Sequence, residues 1–211
     1  MIKIKHLNMV NYQDSYMAMK TFTQQRDQTT DDELWLLQHP SVYTQGQAGK
    51  AEHILQPSKT PIVQSDRGGQ VTYHGPGQLI VYTLINLRRY HLTIRKLVCL
   101  IEQSMISVLQ NLKISAYQRN DAPGVYVDDA KIGSLGLRIR NGCAYHGLAL
   151  NVDMDLTPFN NINPCGLLKQ AMTQIRNYSS VSFETVEEML LEEILSRLRR
   201  TTSLGSGVKC A

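Results

Sequence analysis

Residues 125–152 carry the pattern that most restricts the fold. Val125-Tyr126-Val127 is a short β-branched and aromatic run, Asp128-Asp129-Ala130 turns the chain, and Lys131 to Arg140 reads as the returning strand. Asn141-Gly142 then supplies the dipeptide of a two-residue hairpin, whose central positions both need positive φ. Cys143 to Val152 pairs back, so the expectation is an antiparallel meander. Gly133, Gly136 and Gly147 interrupt its strands. A glycine inside a strand gives up side-chain packing and marks a bulge or a close approach by a ligand.

A second glycine-rich stretch runs Arg67-Gly68-Gly69-Gln70-Val71-Thr72-Tyr73-His74-Gly75-Pro76-Gly77-Gln78 and leads into the apolar run Leu79-Ile80-Val81-Tyr82. The run reads as a buried strand. The loop before it reads as a backbone-lined cradle at the lip of a sheet, because glycine lets backbone come close to a bound group. Arginine, tyrosine and histidine among the glycines distinguish it from a plain connection. It lacks the Gly-Lys-Ser/Thr ending of a P-loop and does not fit the dinucleotide fingerprint.

The remaining elements follow from periodicity and caps. Residues 2 to 5 alternate as a first strand. Asn11 caps a helix with Tyr12, Tyr16, Met19 and Phe22 on one face. Leu34 to Leu37 is a strand closed by His39-Pro40, with Trp35 in the core and His39 a polar strand end. Tyr43 to Gly46 opens a loop that runs through Pro57 and Pro61 to a strand at Ile62-Val63-Gln64. Ile94, Leu97, Val98, Ile101, Met105, Val108, Leu109 and Leu112 fall at helical spacing, with Cys99 close to the apolar stripe as a buried thiol. Asp155 to Asn163 is irregular. Thr185 with Glu188 forms a capping box for a helix carrying Met189, Leu190, Ile194 and Leu198. Residues 1–211 form a single domain, and residues 203–211 a frayed tail containing Cys210.

The chain has 211 residues, 42% of them hydrophobic and 19% charged, which is a globular composition able to bury a core without staples. The net charge of +4 includes Arg88-Arg89, Arg138 with Arg140, and Arg197 to Arg200. Such a surface suits an acidic protein partner as well as it suits nucleic acid. No run approaches the roughly 20 apolar residues of a membrane helix. The N-terminus lacks the apolar centre of a signal peptide, so the expected location is the cytoplasm. Cysteines 99, 143, 165 and 210 show no metal-ligand spacing and are expected as free thiols; no metal is expected.

Cys165 differs from the other three. It lies in Asn163-Pro164-Cys165-Gly166, a loop context in which a thiol is accessible and backbone amides can point at it. A thiolate is a strong nucleophile whose formation nearby cations or oriented amides favour. Lys131, His74 and His146 are each candidate activators, and chain order does not choose among them.

The Arg67 to Gln78 stretch resembles the signature of octanoyltransferases, the lipoyl(octanoyl) transferases of lipoate biosynthesis. Three further blocks resemble the same family in the same order. They are Asp121 to Val127, Lys131 to Ile139, and Tyr145 to Val152 continuing to Asn163-Pro164-Cys165-Gly166. The resemblance spans about residues 2 to 200. It implies an α+β fold, a large mixed but mostly antiparallel sheet flanked by helices, similar to biotin and lipoate ligase catalytic domains. It implies transfer of an octanoyl or lipoyl group from acyl carrier protein to a lysine of lipoyl domains. Those acceptors are 2-oxoacid dehydrogenase complexes and the glycine cleavage H protein.

In that resemblance Cys165 matches the nucleophile, and Lys131 matches the partner that lowers the cysteine pKa and handles protons. Arg67, Gly68, Gly69, Gln70, Val71, Thr72, Tyr73 and His74 match substrate-binding positions. So do Ser134, Leu135 and Gly136, and Gly147, Leu148 and Ala149. Gly133 departs from the pattern where a small alanine-like residue is expected, as does Leu167 to Gln170. Thioester-to-amide transfer needs no ATP and no cofactor. The competing readings are an ATP-dependent lipoate or biotin ligase, a non-catalytic acyl-group binder on the same fold, and a Cys-His hydrolase.

Overall fold

The β-branched and aromatic runs of the chain assemble into two sheets. The computed structural model describes residues 1–56, 59–163 and 170–204, with side chains to residue 202. The larger sheet has seven strands in the order β1-β2-β6-β10-β9-β8-β7. These are β1 (Ile2–Met9), β2 (Asp32–Gln38), β6 (Gln78–Leu84), β7 (Tyr117–Gln118), β8 (Val125–Val127), β9 (Ala130–Arg140) and β10 (Cys143–Asn151). Only the β1–β2 pair of this sheet is parallel. The smaller sheet has the order β4-β3-β5, from β3 (Val42–Gln45), β4 (Ile62–Gln64) and β5 (Val71–His74). Helices α1 (Tyr12–Gln25), α2 (Ile94–Asn111) and α3 (Phe183–Leu204) complete the fold, which is the expected mixed, mostly antiparallel α+β architecture.

Strand alternation sorts the core into two faces. Leu34, Leu36, Leu79, Val81, Leu148 and Leu150 join the apolar stripes of α2 and α3. Trp35, Leu37, Ile80, Tyr82, Tyr145 and Ala149 face the other way and pack with Met19 of α1. The smaller sheet has its own cluster of Tyr43, Val71, Tyr73, Phe159 and Ile162. The meander at β8–β9–β10 is as expected, and Asn141 and Gly142 take φ of 52° and 80° in its hairpin.

Five expectations change. Tyr43 to Gln45 is strand β3 rather than the start of a loop, because it pairs with both β4 and β5. Val71 to His74 is strand β5, so the glycine-rich stretch is two short loops, 67–70 and 75–77, on either side of a strand. Tyr117–Gln118 adds a two-residue edge strand too short to show a period. The cap of α3 is Ser182, whose hydroxyl accepts the Thr185 N–H at 3.2 Å; Phe183 and Glu184 are already helical, which places Thr185 inside the first turn. Helix α3 also runs through Leu204, two residues into the expected tail; residues 205–211, with Cys210, lie outside the described residues.

Gly147 is where β10 meets β6 most tightly: a Cβ there would stand 2.0 Å from the Val81 carbonyl oxygen. That atom is backbone in a central strand and has little room to yield. Gly147→Ala is therefore expected to lower stability by about 3 kcal/mol, read by urea denaturation with an unchanged m-value.

Candidate active site

A half-open cavity lies between the 67–74 segment and the face of β6, β9 and β10. Val71, Ile80 and Ala149 line it, together with Leu135, Leu148, Gly69, Gly136 and Gly147. That lining suits a largely apolar ligand. The wall exists because two glycines let loop and strand touch. Gly68 donates its N–H to the Leu137 carbonyl at 3.0 Å, and a Cβ on Gly136 would come within 3.0 Å of the Gly68 oxygen.

Arg67 fixes this wall from inside. Its Nε donates to Thr44 Oγ1 at 3.1 Å, Nη1 to the Gly68 carbonyl at 2.9 Å, and Nη2 to the Thr44 and Gln70 carbonyls at 2.6 and 2.8 Å. Thr44 Oγ1 lies 3.3 Å from His74 Nε2, and His74 Nδ1 lies 2.7 Å from Gln78 Oε1. Gln78 uses its amide N–H groups on Asn151 and Tyr73, so His74 Nδ1 is the donor to Gln78 and its Nε2 accepts. Burial, then the neighbouring His39 and Arg67, hold the His74 imidazole neutral, well below its ordinary range. His39 behind it donates from Nδ1 to the Val10 carbonyl at 2.7 Å and accepts the Tyr82 hydroxyl at Nε2.

His146 is the other polar group of the wall. It is 1% exposed and sits mid-strand at φ +61°, a left-handed backbone uncommon outside glycine. The kink breaks strand alternation, so two consecutive side chains reach one carboxylate. The Tyr145 hydroxyl donates to Asp66 Oδ2 at 2.6 Å, and His146 Nε2 donates to Asp66 Oδ1 at 2.9 Å. Burial pushes Asp66 up, but the two donors outweigh it and leave it lowered to about 2. Burial lowers His146 in turn, against the pull of Asp66. With Nε2 protonated, Nδ1 keeps a lone pair that has no partner among the described residues.

Lys131 stands on β9 three residues before Ser134, about 10 Å along the strand from the cavity lining. It is 1% exposed rather than a solvated edge lysine. Nζ donates to the Pro123 carbonyl at 2.8 Å and lies 5.4 Å from the centre of the Tyr126 ring. Its backbone pairs on both sides with the segment after residue 169: Lys131 N–H to the Ala171 carbonyl at 2.8 Å, and Thr173 N–H to the Lys131 carbonyl at 3.0 Å. Cys165 and the departure at residues 167–169 lie outside the described residues; Asn163 before that stretch is buried, with its N–H on the His53 carbonyl at 2.8 Å.

Of the expected binding residues, Arg67, Gly69, Gln70, Val71, Thr72, His74, Ser134, Leu135, Gly136, Gly147, Leu148 and Ala149 line the cavity. Gly68 and Tyr73 do not. Gly68 supports the wall from behind, and Tyr73 alternates away on β5 into the cluster with Tyr43 and Phe159. Gly133 also lies off the lining: a Cβ there would stand 2.7 Å from Met105 Sδ, so the glycine makes room for a methionine of α2. The cavity adds Tyr12, Ile80, Tyr82 and His146. Ile80 and Tyr82 lie in an unbroken apolar run, which marks a buried strand but not which of its faces meets the cavity.

These features are those of an α+β domain with an apolar slot and a buried amine on one of the strands that line it. Residues 11–195 match the lipoyl protein ligase A/B catalytic domain, and the chain belongs to that family. It is 56% identical over 195 residues to an octanoyltransferase of Pseudomonas aeruginosa (strain LESB58), covering 92% of this chain and 90% of the relative. It is 60% identical over 171 residues to an octanoyltransferase of Colwellia psychrerythraea, covering 81% and 73%. Among solved structures, a lipoate-protein ligase A bound with ATP superposes with a TM-score of 0.79 at 14% identity, covering 93% of this chain and 85% of that one. A biotin protein ligase from Aquifex aeolicus with biotin and ATP gives 0.61 at 11% identity, covering 96% and 72%. At such identities the two ligases speak for the fold alone.

The buried imidazole behind the cavity makes a pH prediction. Burial, opposed by the Val10 carbonyl, lowers His39 from its ordinary 6.5 to about 4. The unfolded chain therefore takes up this proton first. Stability tied to neutral His39 is full above the unfolded value and is lost as pH falls from there toward 4. His39→Gln is expected to be less stable at pH 7 but to lose about 3 kcal/mol less than wild type between pH 7 and pH 4, measured by urea denaturation.

Proposed function

We propose that this protein is an octanoyltransferase that moves an octanoyl group from the thioester of acyl carrier protein to a lysine of lipoyl domains, by way of an acyl-thioester on Cys165. The observation that carries this reading is the setting of Lys131. A buried amine lies on the strand that lines the apolar slot, and the chain six to eight residues beyond Cys165 is hydrogen-bonded to its backbone. The close relatives share 53–60% identity over most of the chain and are named octanoyltransferases.

In the first half-reaction the Cys165 thiol gives its proton to Lys131 and the sulfur attacks the thioester carbon. The tetrahedral intermediate collapses by breaking the bond to the carrier's sulfur, which leaves with the proton. In the second, the acceptor lysine amine attacks the Cys165 thioester carbon, the C–S bond breaks, an amide forms, and the proton from nitrogen restores the thiol. Both steps start from an activated acyl group, so none consumes ATP. Splitting one transfer into two is the usual gain from covalent catalysis. The tail lies in the slot lined by Val71, Ile80 and Ala149. The acceptors are lipoyl domains of 2-oxoacid dehydrogenase complexes and the glycine cleavage H protein, and the site of action is the cytoplasm. Among the described residues no helix is long and apolar enough to cross a membrane.

Two measurements test the reading. Mixing with octanoyl-carrier protein is expected to add one octanoyl mass to wild type and none to Cys165→Ala; an adduct that persists in the variant removes Cys165 from the reaction. Lys131→Ala is expected to fold and to acylate roughly 10²- to 10⁴-fold more slowly. Transfer that needs ATP would instead indicate a ligase.

A further inference from the structure

Lys131 Nζ donates to a peptide group whose other end is held by a carboxylate. Its acceptor is the Pro123 carbonyl, at 2.8 Å. The N–H of that same peptide belongs to Gly124 and donates to Glu102 Oε1 at 2.8 Å. The chain has no cis peptide among its described residues, so the carbonyl and N–H point in opposite directions across one rigid plane. Glu102, on α2, is 6% exposed. A carboxylate that accepts the N–H draws the proton toward itself and makes the carbonyl at the far end a better acceptor, as in any hydrogen-bonded chain at low dielectric.

The surroundings leave the plane little freedom. Gly124 is at φ +140°, and a Cβ there would stand 2.4 Å from Lys131 Cε, so lysine and loop lie in direct contact. The Tyr126 hydroxyl donates to the Ala122 carbonyl at 2.9 Å and pins the residue before Pro123, while the Tyr126 ring faces the amine. Without Glu102 the Gly124 N–H would be a buried donor with no acceptor, and the loop would turn to satisfy it elsewhere.

We propose that Glu102 is a positioning residue for Lys131, acting through the Pro123–Gly124 peptide plane to fix where the amine stands. The inference rests on the reading of Lys131 as the partner of Cys165. Glu102 touches neither the slot nor the acyl group, so its loss changes the acylation step and not donor binding.

Single-turnover acylation by octanoyl-carrier protein, measured across donor concentrations, tests this on the full chain. Glu102→Leu removes the acceptor and is expected to slow the limiting acylation rate roughly 10- to 100-fold, with half-saturation unchanged, since a small misplacement of a reacting group costs on that order. Glu102→Gln still accepts from Gly124 and is expected to regain most of the rate. Glu102→Asp, too short to reach Gly124, serves if the leucine variant does not fold, and is expected to be slow. Leucine or aspartate variants that acylate at the wild-type rate while Lys131→Ala is slow overturn the proposal, as does a glutamine variant as slow as leucine. Normal acylation by Lys131→Ala overturns instead the reading of Lys131 on which the proposal stands.

Discussion

The slot depends on a guanidinium buried among neutral oxygens. Arg67 lies between the two sheets' territories, and each of its nitrogens donates to the protein: to Thr44 on β3, to the Gly68 carbonyl and to the Gln70 carbonyl. Charge-assisted bonds of this kind are stronger than neutral ones, and a cation removed from water needs all of them. The result is that a loop with two consecutive glycines, which left alone would sample many shapes, becomes a fixed wall. The wall then rests on β9 through Gly68 and Leu137, and the apolar lining of β9 and β10 acquires an opposite side. Thr44 also hands one lone pair and one proton in different directions, to Arg67 and His74, which joins the cation to the histidine row behind it.

The meander and the two long amphipathic helices were legible because each has a clear pattern, and the strand at Leu79 to Tyr82 because it is an unbroken apolar run. The glycine-rich stretch was legible as a ligand wall because its glycines stand beside an arginine. Other parts were not. Strand β3 reads as a loop because Thr44-Gln45-Gly46 is polar, and its polarity has a tertiary cause, the need for an acceptor under Arg67. Tyr12 reads as a core residue of α1, and it is one, but its ring also stacks on His74 at 5.8 Å at the cavity edge. Nothing local announces that a residue has two neighbours of different kind. The same holds for Asp66, an unremarked acid before the signature that turns out to receive both Tyr145 and His146. Long-range pairing decides these roles, and a single chain records it only indirectly.

Lys131 shows how local rules and tertiary demands combine. A lysine on a strand next to a turn is ordinarily solvated. Here the turn preceding β8 carries a proline and a glycine, and the glycine has no side chain where the lysine passes. Burying the amine requires acceptors in the right place, and the Pro123 carbonyl supplies one. The departure from the family pattern at Gly133, two residues further on, has a separate cause in the sulfur of Met105 and leaves the amine's surroundings alone.

The histidines of the slot are all held in their uncharged form. His39, His74 and His146 are each lowered, chiefly by burial. Across the neutral range, then, the cavity wall carries no histidine that changes charge, and its fit to an apolar chain has no reason to vary with acidity. Under the proposed transfer, tail recognition and proton handling are thereby insulated from one another: the slot would hold an acyl group through both halves of the transfer while protons move at Lys131.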